Sequence, residues 1–266
     1  MGGERGGPRR GDARSDSAPS RGDPHRGTRT DIGPAESPEA AFVDQFVDYV
    51  ADIDDALRAP LAAKYGKSLR NFVEAVYIID QSVRLGLTHA RLFPAVDADF
   101  EAVPEPAEIL PPTRANMKWH DEILAHGVMD DLMREVVRLR GSWYHDCDLC
   151  NSCRLVDGQT VVVDADLEAR IHTYREGTMS PAHTAALAYA DAYMVDPAAM
   201  PEELADELRS RFTRAELLAL TLEMSSWNYQ KVLVALAIDH PVSTEGFTAI
   251  TVGSDGALQI GELLRS

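Results

Sequence analysis

Three cysteines fall within one short stretch, Cys147-Asp-Leu-Cys150-Asn-Ser-Cys153, and the 266-residue chain has no others. Cysteines this close cannot staple distant parts of a fold, so the cluster points to redox chemistry or metal binding. Cys147 and Cys150 are spaced by one helical turn, which puts both sulfurs on one face. A thiol at a helix start faces the positive end of the dipole and is favoured as thiolate, the form that attacks peroxides and disulfides. Asp146 and Asp148 oppose this, because neighbouring anions raise a thiol pKa. Arg154, four residues past Cys150, has the spacing to set a fixed positive charge beside that sulfur.

Two further residues are candidates for moving protons. Glu135 sits at the edge of an apolar stripe formed by Val128, Met129, Leu132, Met133, Val136, Val137 and Leu139, with Asp131, Arg134 and Arg138 on the other side. A carboxylate half-buried at a helix seam can act as a general base. The spacing alone favours a plainer role, a boundary glutamate paired with Arg138. His145, two residues before Cys147, is the other candidate. His120, His126, His172 and His183 read as solvated or capping, and Trp119, Trp143 and Trp227 as packing. His145, Cys147, Cys150 and Cys153 also offer one nitrogen and three sulfurs, a set that suits zinc. The spacing is too compressed for an ordinary zinc finger, and three cysteines fall short of the four that usually hold an iron–sulfur cluster. The expectation is a site with no metal and no organic cofactor.

The elements that must position these residues are mostly helical. Apolar residues recur at helical spacing from Phe42 to Leu57 and from Leu69 to Val83, with Gly86 as the expected stop. Five prolines break the stretch 94–113. Helices are expected over 113–126, after Gly127, and near 165–175, 181–194 and 201–210. Ser180-Pro181 is an N-cap followed by proline at the first helical position. A long apolar helix is expected over 213–238, opened by a Thr213/Glu216 capping box and buried at the centre. Short hairpins are expected near 155–163, around Asp157-Gly158, and near 248–260. The chain thus divides into a disordered leader (1–38), an N-terminal helical extension (39–112), a helical core (113–241) and a C-terminal tail (242–266).

Bulk composition narrows the partners. Hydrophobic residues make up 45% of the chain, enough for a real core, and the net charge is −17. A surface this acidic repels phosphate backbones and anionic membranes, so neither nucleic acid nor membrane is an expected partner. The longest apolar run, 232–238, is far too short to span a bilayer. No apolar segment follows Arg9-Arg10, so a cytoplasmic location is expected.

A glutamate, a Cys-x-x-Cys twelve residues on, and a histidine four residues beyond it form the pattern of AhpD-like alkylhydroperoxidases. Glu135, Cys147 and Cys150 match it. The segments 179–193 and 203–223, and Trp227-Asn228, also resemble that family. Over 130–241 the chain therefore resembles the carboxymuconolactone decarboxylase/AhpD-like superfamily. The resemblance implies an all-α helical bundle in which Cys150 is the attacking thiolate, Cys147 resolves it into a disulfide, and Glu135 passes protons. It implies a peroxide or disulfide substrate, a thiol reductant partner and a homo-oligomer, trimer or hexamer before dimer. Arg154 stands where the family has histidine. Arginine does not deprotonate in proteins, so it can stabilise a thiolate but cannot shuttle a proton. The family's other activity, cofactor-free decarboxylation of a lactone acid, does not rely on a cysteine pair. That activity, a zinc site and a non-enzymatic scaffold remain the alternatives.

Overall fold

A computed structural model describes residues 36–93, 108–158, 160–243 and 245–264. The expected leader and the proline-rich crossing lie outside these residues, except at their ends. Ser37 caps the first helix, its hydroxyl accepting from the Ala40 N–H at 3.1 Å, and Pro38 follows at a position with no hydrogen bond to lose. The single helical run expected from Phe42 to Leu57 is divided. Helix α1 (Pro38–Asp48) ends in a 3-10 turn, and Asp54 caps a new helix, α2 (Asp55–Tyr65). Helix α3 (Leu69–Leu92) runs straight through Gly86, the expected stop. Arg84, Thr88 and Leu92 are buried on either side of that glycine. Their packing outweighs the roughly 1 kcal/mol that glycine costs a helix interior.

The remaining helices lie close to their expected places: α4 (Pro112–Ala125), α5 (Asp131–Tyr144), α6 (Asp148–Asn151), α7 (Ala165–His172), α8 (Pro181–Val195) and α9 (Glu202–Arg211). The long apolar helix is two pieces, α10 (Arg214–Trp227) and α11 (Gln230–Ala235). The Thr213/Glu216 capping box opens α10 as expected. Between the two pieces the backbone tightens, Tyr229 N–H bonding to Ser226 and Lys231 N–H to Asn228. Asn228 is held there by its side chain, which joins His145 and Gln81, rather than by helical packing.

Both expected hairpins form. Strand β1 (Cys153–Asp157) pairs antiparallel with β2 (Thr160–Val161), and β3 (Phe247–Val252) with β4 (Leu258–Leu264). The two then join, because β1 and β3 run parallel with Cys153 opposite Thr248 and Leu155 opposite Ile250. The sheet order is β2-β1-β3-β4, and the chain is mainly helical with this one small mixed sheet. The β3–β4 turn presses on α4 at Gly256. Its φ is +79, and a Cβ there would lie 1.8 Å from the Asp121 carbonyl oxygen.

One apolar cluster joins α5, α8, α9 and α10. A second joins α1, α2, α3 and α11, and it includes Cys147. The N-terminal helices and the C-terminal strands therefore both reach the cysteine loop. Among the described residues, no helix is long and apolar enough to cross a membrane.

Candidate functional site

Helix α5 delivers the chain to the cysteines. Its last turn is closed by His145, and Asp146 follows in the left-handed region at φ 55, which a short polar side chain tolerates. That turn sets Cys147 at the N-cap of α6, with its N–H on the Ser142 carbonyl at 3.0 Å. The Cys147 sulfur accepts from the Cys150 N–H at 3.4 Å, and its thiol points at the Cys150 sulfur 2.6 Å away. Both are free thiols, yet they stand closer than unbonded sulfurs and within easy reach of the roughly 2.05 Å of a disulfide. Cys147 is wholly buried, whereas Cys150 is half-buried. The bond to Cys150 and burial together push the Cys147 thiol far up, so it keeps its proton. Cys153 is buried in β1, and burial raises its thiol as well.

The cation of the site is Arg138, one turn along α5 from Glu135. Its Nη1 donates to the Cys150 carbonyl at 3.0 Å and its Nη2 to the Cys153 carbonyl at 2.9 Å. Its Nε and Nη2 grip Glu135 at 2.6 and 2.8 Å. Its charge acts on both Cys150 and Cys153. Glu135 is completely buried rather than half-buried, and both its oxygens are committed. Oε1 also accepts from the Leu155 N–H at 3.0 Å, which ties α5 to β1. Arg134 and Arg138, expected on the far side of the helix, are both buried. The plainer reading of Glu135, paired with Arg138, describes the geometry.

Arg154 does not reach the sulfur as its spacing suggested. Helix α6 stops at Asn151, so the four-residue step from Cys150 crosses into an extended strand and turns the side chain away. Its Nη2 holds both oxygens of Glu168 at 2.9 Å, its Nη1 donates to the Asn151 and Cys153 carbonyls, and its guanidinium lies 3.8 Å from the Phe247 ring centre. His145 also turns from the sulfurs. Its Nε2 meets Asn228, its Nδ1 has no partner, and burial pulls its pKa down to about 3. It is neutral at neutral pH, beside a buried network in which Asp80 pairs with Arg84 at 2.9 Å and Lys231 at 2.7 Å. Burial lowers Lys231 to about 8 despite that partner.

Other expectations are corrected by burial. His120 is not solvated: it bonds to Ser226, and burial lowers its pKa to about 4. His172 stacks on Trp143, and His183 bonds to the α8 cap Ser180 as expected of a capping residue. Trp119 is exposed rather than packed. Among the described residues, no three of His, Cys, Asp or Glu are grouped to hold a metal ion. Arg138, Asn228 and Asp239, which accepts from the Asp148 N–H at 3.1 Å, are the site residues that sequence reasoning did not assign to the cysteines. Only Arg138 carried a signal, its three-residue step from Glu135.

No family model matches the chain, and no solved structure matches it. The chain is 30% identical over 243 residues to two proteins of Mycobacterium tuberculosis, the uncharacterized protein MT2376 of strain CDC 1551 and the uncharacterized protein Rv2313c of strain H37Rv. The match covers 86% of this chain and 82% of each relative, and so takes in the cysteine loop's helical surroundings. By that extent and identity, the chain belongs to the family of these mycobacterial proteins.

Proposed function

We propose that the chain is a thiol redox protein in which Cys150 and Cys147 cycle between dithiol and disulfide, built on an AhpD-like helical arrangement. The observation that carries this reading is the asymmetry of the pair. Two free thiols stand 2.6 Å apart, one half-exposed and one fully buried with its proton held. A half-exposed sulfur suits attack on a substrate, and a buried neighbour already in contact with it suits resolution.

With a peroxide, the Cys150 thiolate attacks one oxygen and the O–O bond breaks. The departing alkoxide takes a proton from solvent and leaves as alcohol, and Cys150 becomes a sulfenic acid. Cys147 then attacks that sulfur, its own proton leaving with the hydroxyl group as water, and the disulfide forms. An external dithiol returns both electrons by exchange. Arg138 holds the carbonyls of Cys150 and Cys153 and keeps the turn closed. Glu135 is the anchor for that guanidinium, and Arg154 and His145 stand outside the proton path.

Mass spectrometry of the full chain after mild peroxide tests this. One Cys147–Cys150 disulfide is expected, with Cys147→Ser giving a trappable sulfenic acid at Cys150 and Cys150→Ser giving neither. Cys150 recovered as free thiol in the wild type would overturn the proposal.

A further inference from the structure

Two turns in the left-handed region meet beside Cys147. Among the described residues, Asp146 and Ala237 are the only non-glycine residues with positive φ, at 55 and 54. Asp146 precedes Cys147 directly. Ala237 closes α11, its N–H bonding to the Val234 carbonyl at 2.9 Å and the Ile238 N–H to the Leu233 carbonyl at 3.0 Å. That pair of bonds ends a helix around a left-handed residue, a place glycine usually takes. An alanine there costs roughly 1–2 kcal/mol. The turn it makes returns the chain to the cysteine loop at Asp239. The Asp239 carboxylate is buried and accepts from the Asp148 N–H at 3.1 Å, the amide that follows Cys147 in the chain. Among the described residues, no ion pair holds it. The cations of the neighbouring elements are engaged elsewhere: Arg138 with Glu135, Arg58 with Asp55 and the Ala235 carbonyl, Arg84 and Lys231 with Asp80. A buried carboxylate without a cation is costly, and so is the strained turn that delivers it. Neither is needed to close α11 or to fill the core.

We propose that Asp239 is the positioning residue that assigns the two roles of the cysteine pair, its carboxylate keeping negative charge off Cys147 so that Cys150 is the thiolate. The inference rests on the dithiol–disulfide reading above. Two thiols in contact share their first negative charge unless their surroundings differ. Burial supplies part of the difference, and Asp239 supplies a charge on the Cys147 side. The Cys147 thiol is raised first by its bond to Cys150 and by burial, and the Asp239 charge adds to that rise. Arg138 works from the other side, its charge acting on Cys150 and Cys153. An anion beside one sulfur and a cation beside the other therefore favour the same assignment. Cys147 stays neutral during the first attack and is kept for the step that closes the disulfide.

Iodoacetamide labelling of the full reduced chain in a Cys150→Ser background tests this, with Cys147 and Cys153 followed separately by mass spectrometry. No peroxide is present, so the outcome does not depend on whether the disulfide forms. Asp239→Asn keeps the shape and an oxygen for the Asp148 N–H but removes the charge. Asp239→Glu keeps the charge and changes the shape. At mildly alkaline pH the Cys147 rate should rise at least about 10-fold in Asp239→Asn, the effect of one pKa unit on thiolate content, and stay near the parent rate in Asp239→Glu. The Cys153 rate reports any opening of the fold and should be the same in all three proteins. An unchanged Cys147 rate in Asp239→Asn, an equal rise in Asp239→Glu, or a rise that Cys153 shares would each sink the assignment.

Discussion

Arg138 and Arg154 are the same residue type on either side of the cysteines, nine residues before Cys147 and one after Cys153, and they do different work. Arg138 holds Glu135 and two carbonyls of the cysteine loop, whereas Arg154 holds Glu168 and lies on Phe247. Removing one partner of a buried ion pair leaves the other charge stranded, at a cost of about 3–5 kcal/mol. Arg138→Gln should therefore lower the urea midpoint strongly, and adding Glu135→Gln should recover part of the loss. Arg154→Gln should cost about 1 kcal/mol, since Glu168 is partly solvated, and leave the iodoacetamide alkylation rate of Cys150 nearly unchanged. A large drop in that rate for Arg154→Gln, with stability intact, would show that its charge reaches the sulfur after all. Spacing misled here for a definite reason. A four-residue step means one face only inside a helix, and the chain leaves helix at Asn151.

At the scale of elements, local signals were legible and distant ones were not. The Ser180-Pro181 start, the Thr213/Glu216 box and the Asp157-Gly158 turn are each read within a few residues, and each forms. The parallel pairing of β1 with β3 joins segments far apart in sequence, and two short apolar strands do not name their partner. Gly86 failed as a stop and Asn228 succeeded as a break because tertiary contacts, not propensity, decided both. Gly256 shows the same kind of distant control. Its positive φ and its approach to the Asp121 carbonyl leave no room for a methyl group. Gly256→Ala should destabilise the chain by roughly 2–4 kcal/mol by lifting the β3–β4 hairpin off α4. Thermal melting would measure it, and a shift no larger than that of an exposed glycine such as Gly158 would refute the docking.

Across the whole molecule, burial of neutral histidine ties folding to pH. His145 has its pKa lowered by burial to about 3, against the ordinary value of 6.5. The unfolded chain takes up this proton below about 6.5, while the folded chain refuses it until about 3. Stability from this group is complete above 6.5 and is lost as pH falls through that window. Each pH unit is worth about 1.4 kcal/mol, so a drop to pH 4.5 should cost about 2–3 kcal/mol through His145 alone. His120, lowered to about 4 by the same cause, adds to the slope. Urea midpoints at pH 7 and 4.5 should therefore fall farther for the wild type than for His145→Gln. Equal falls would mean that His145 is not buried neutral.

The register between Cys153 and Thr248 also governs when the cysteine turn is complete. The carbonyl of Ser152 is bonded by the Thr248 N–H at 2.8 Å, and β3 is made after every helix of the chain. During synthesis the three cysteines emerge well before the strand that closes their loop. Until then the Ser152 carbonyl and the β3 side of β1 lack their partners. A chain cut anywhere between β2 and β3 keeps all three sulfurs and the α5–α6 turn, and loses the strand that pairs with Cys153. The pairing of β1 with β3 is thus among the last contacts of the fold to be completed.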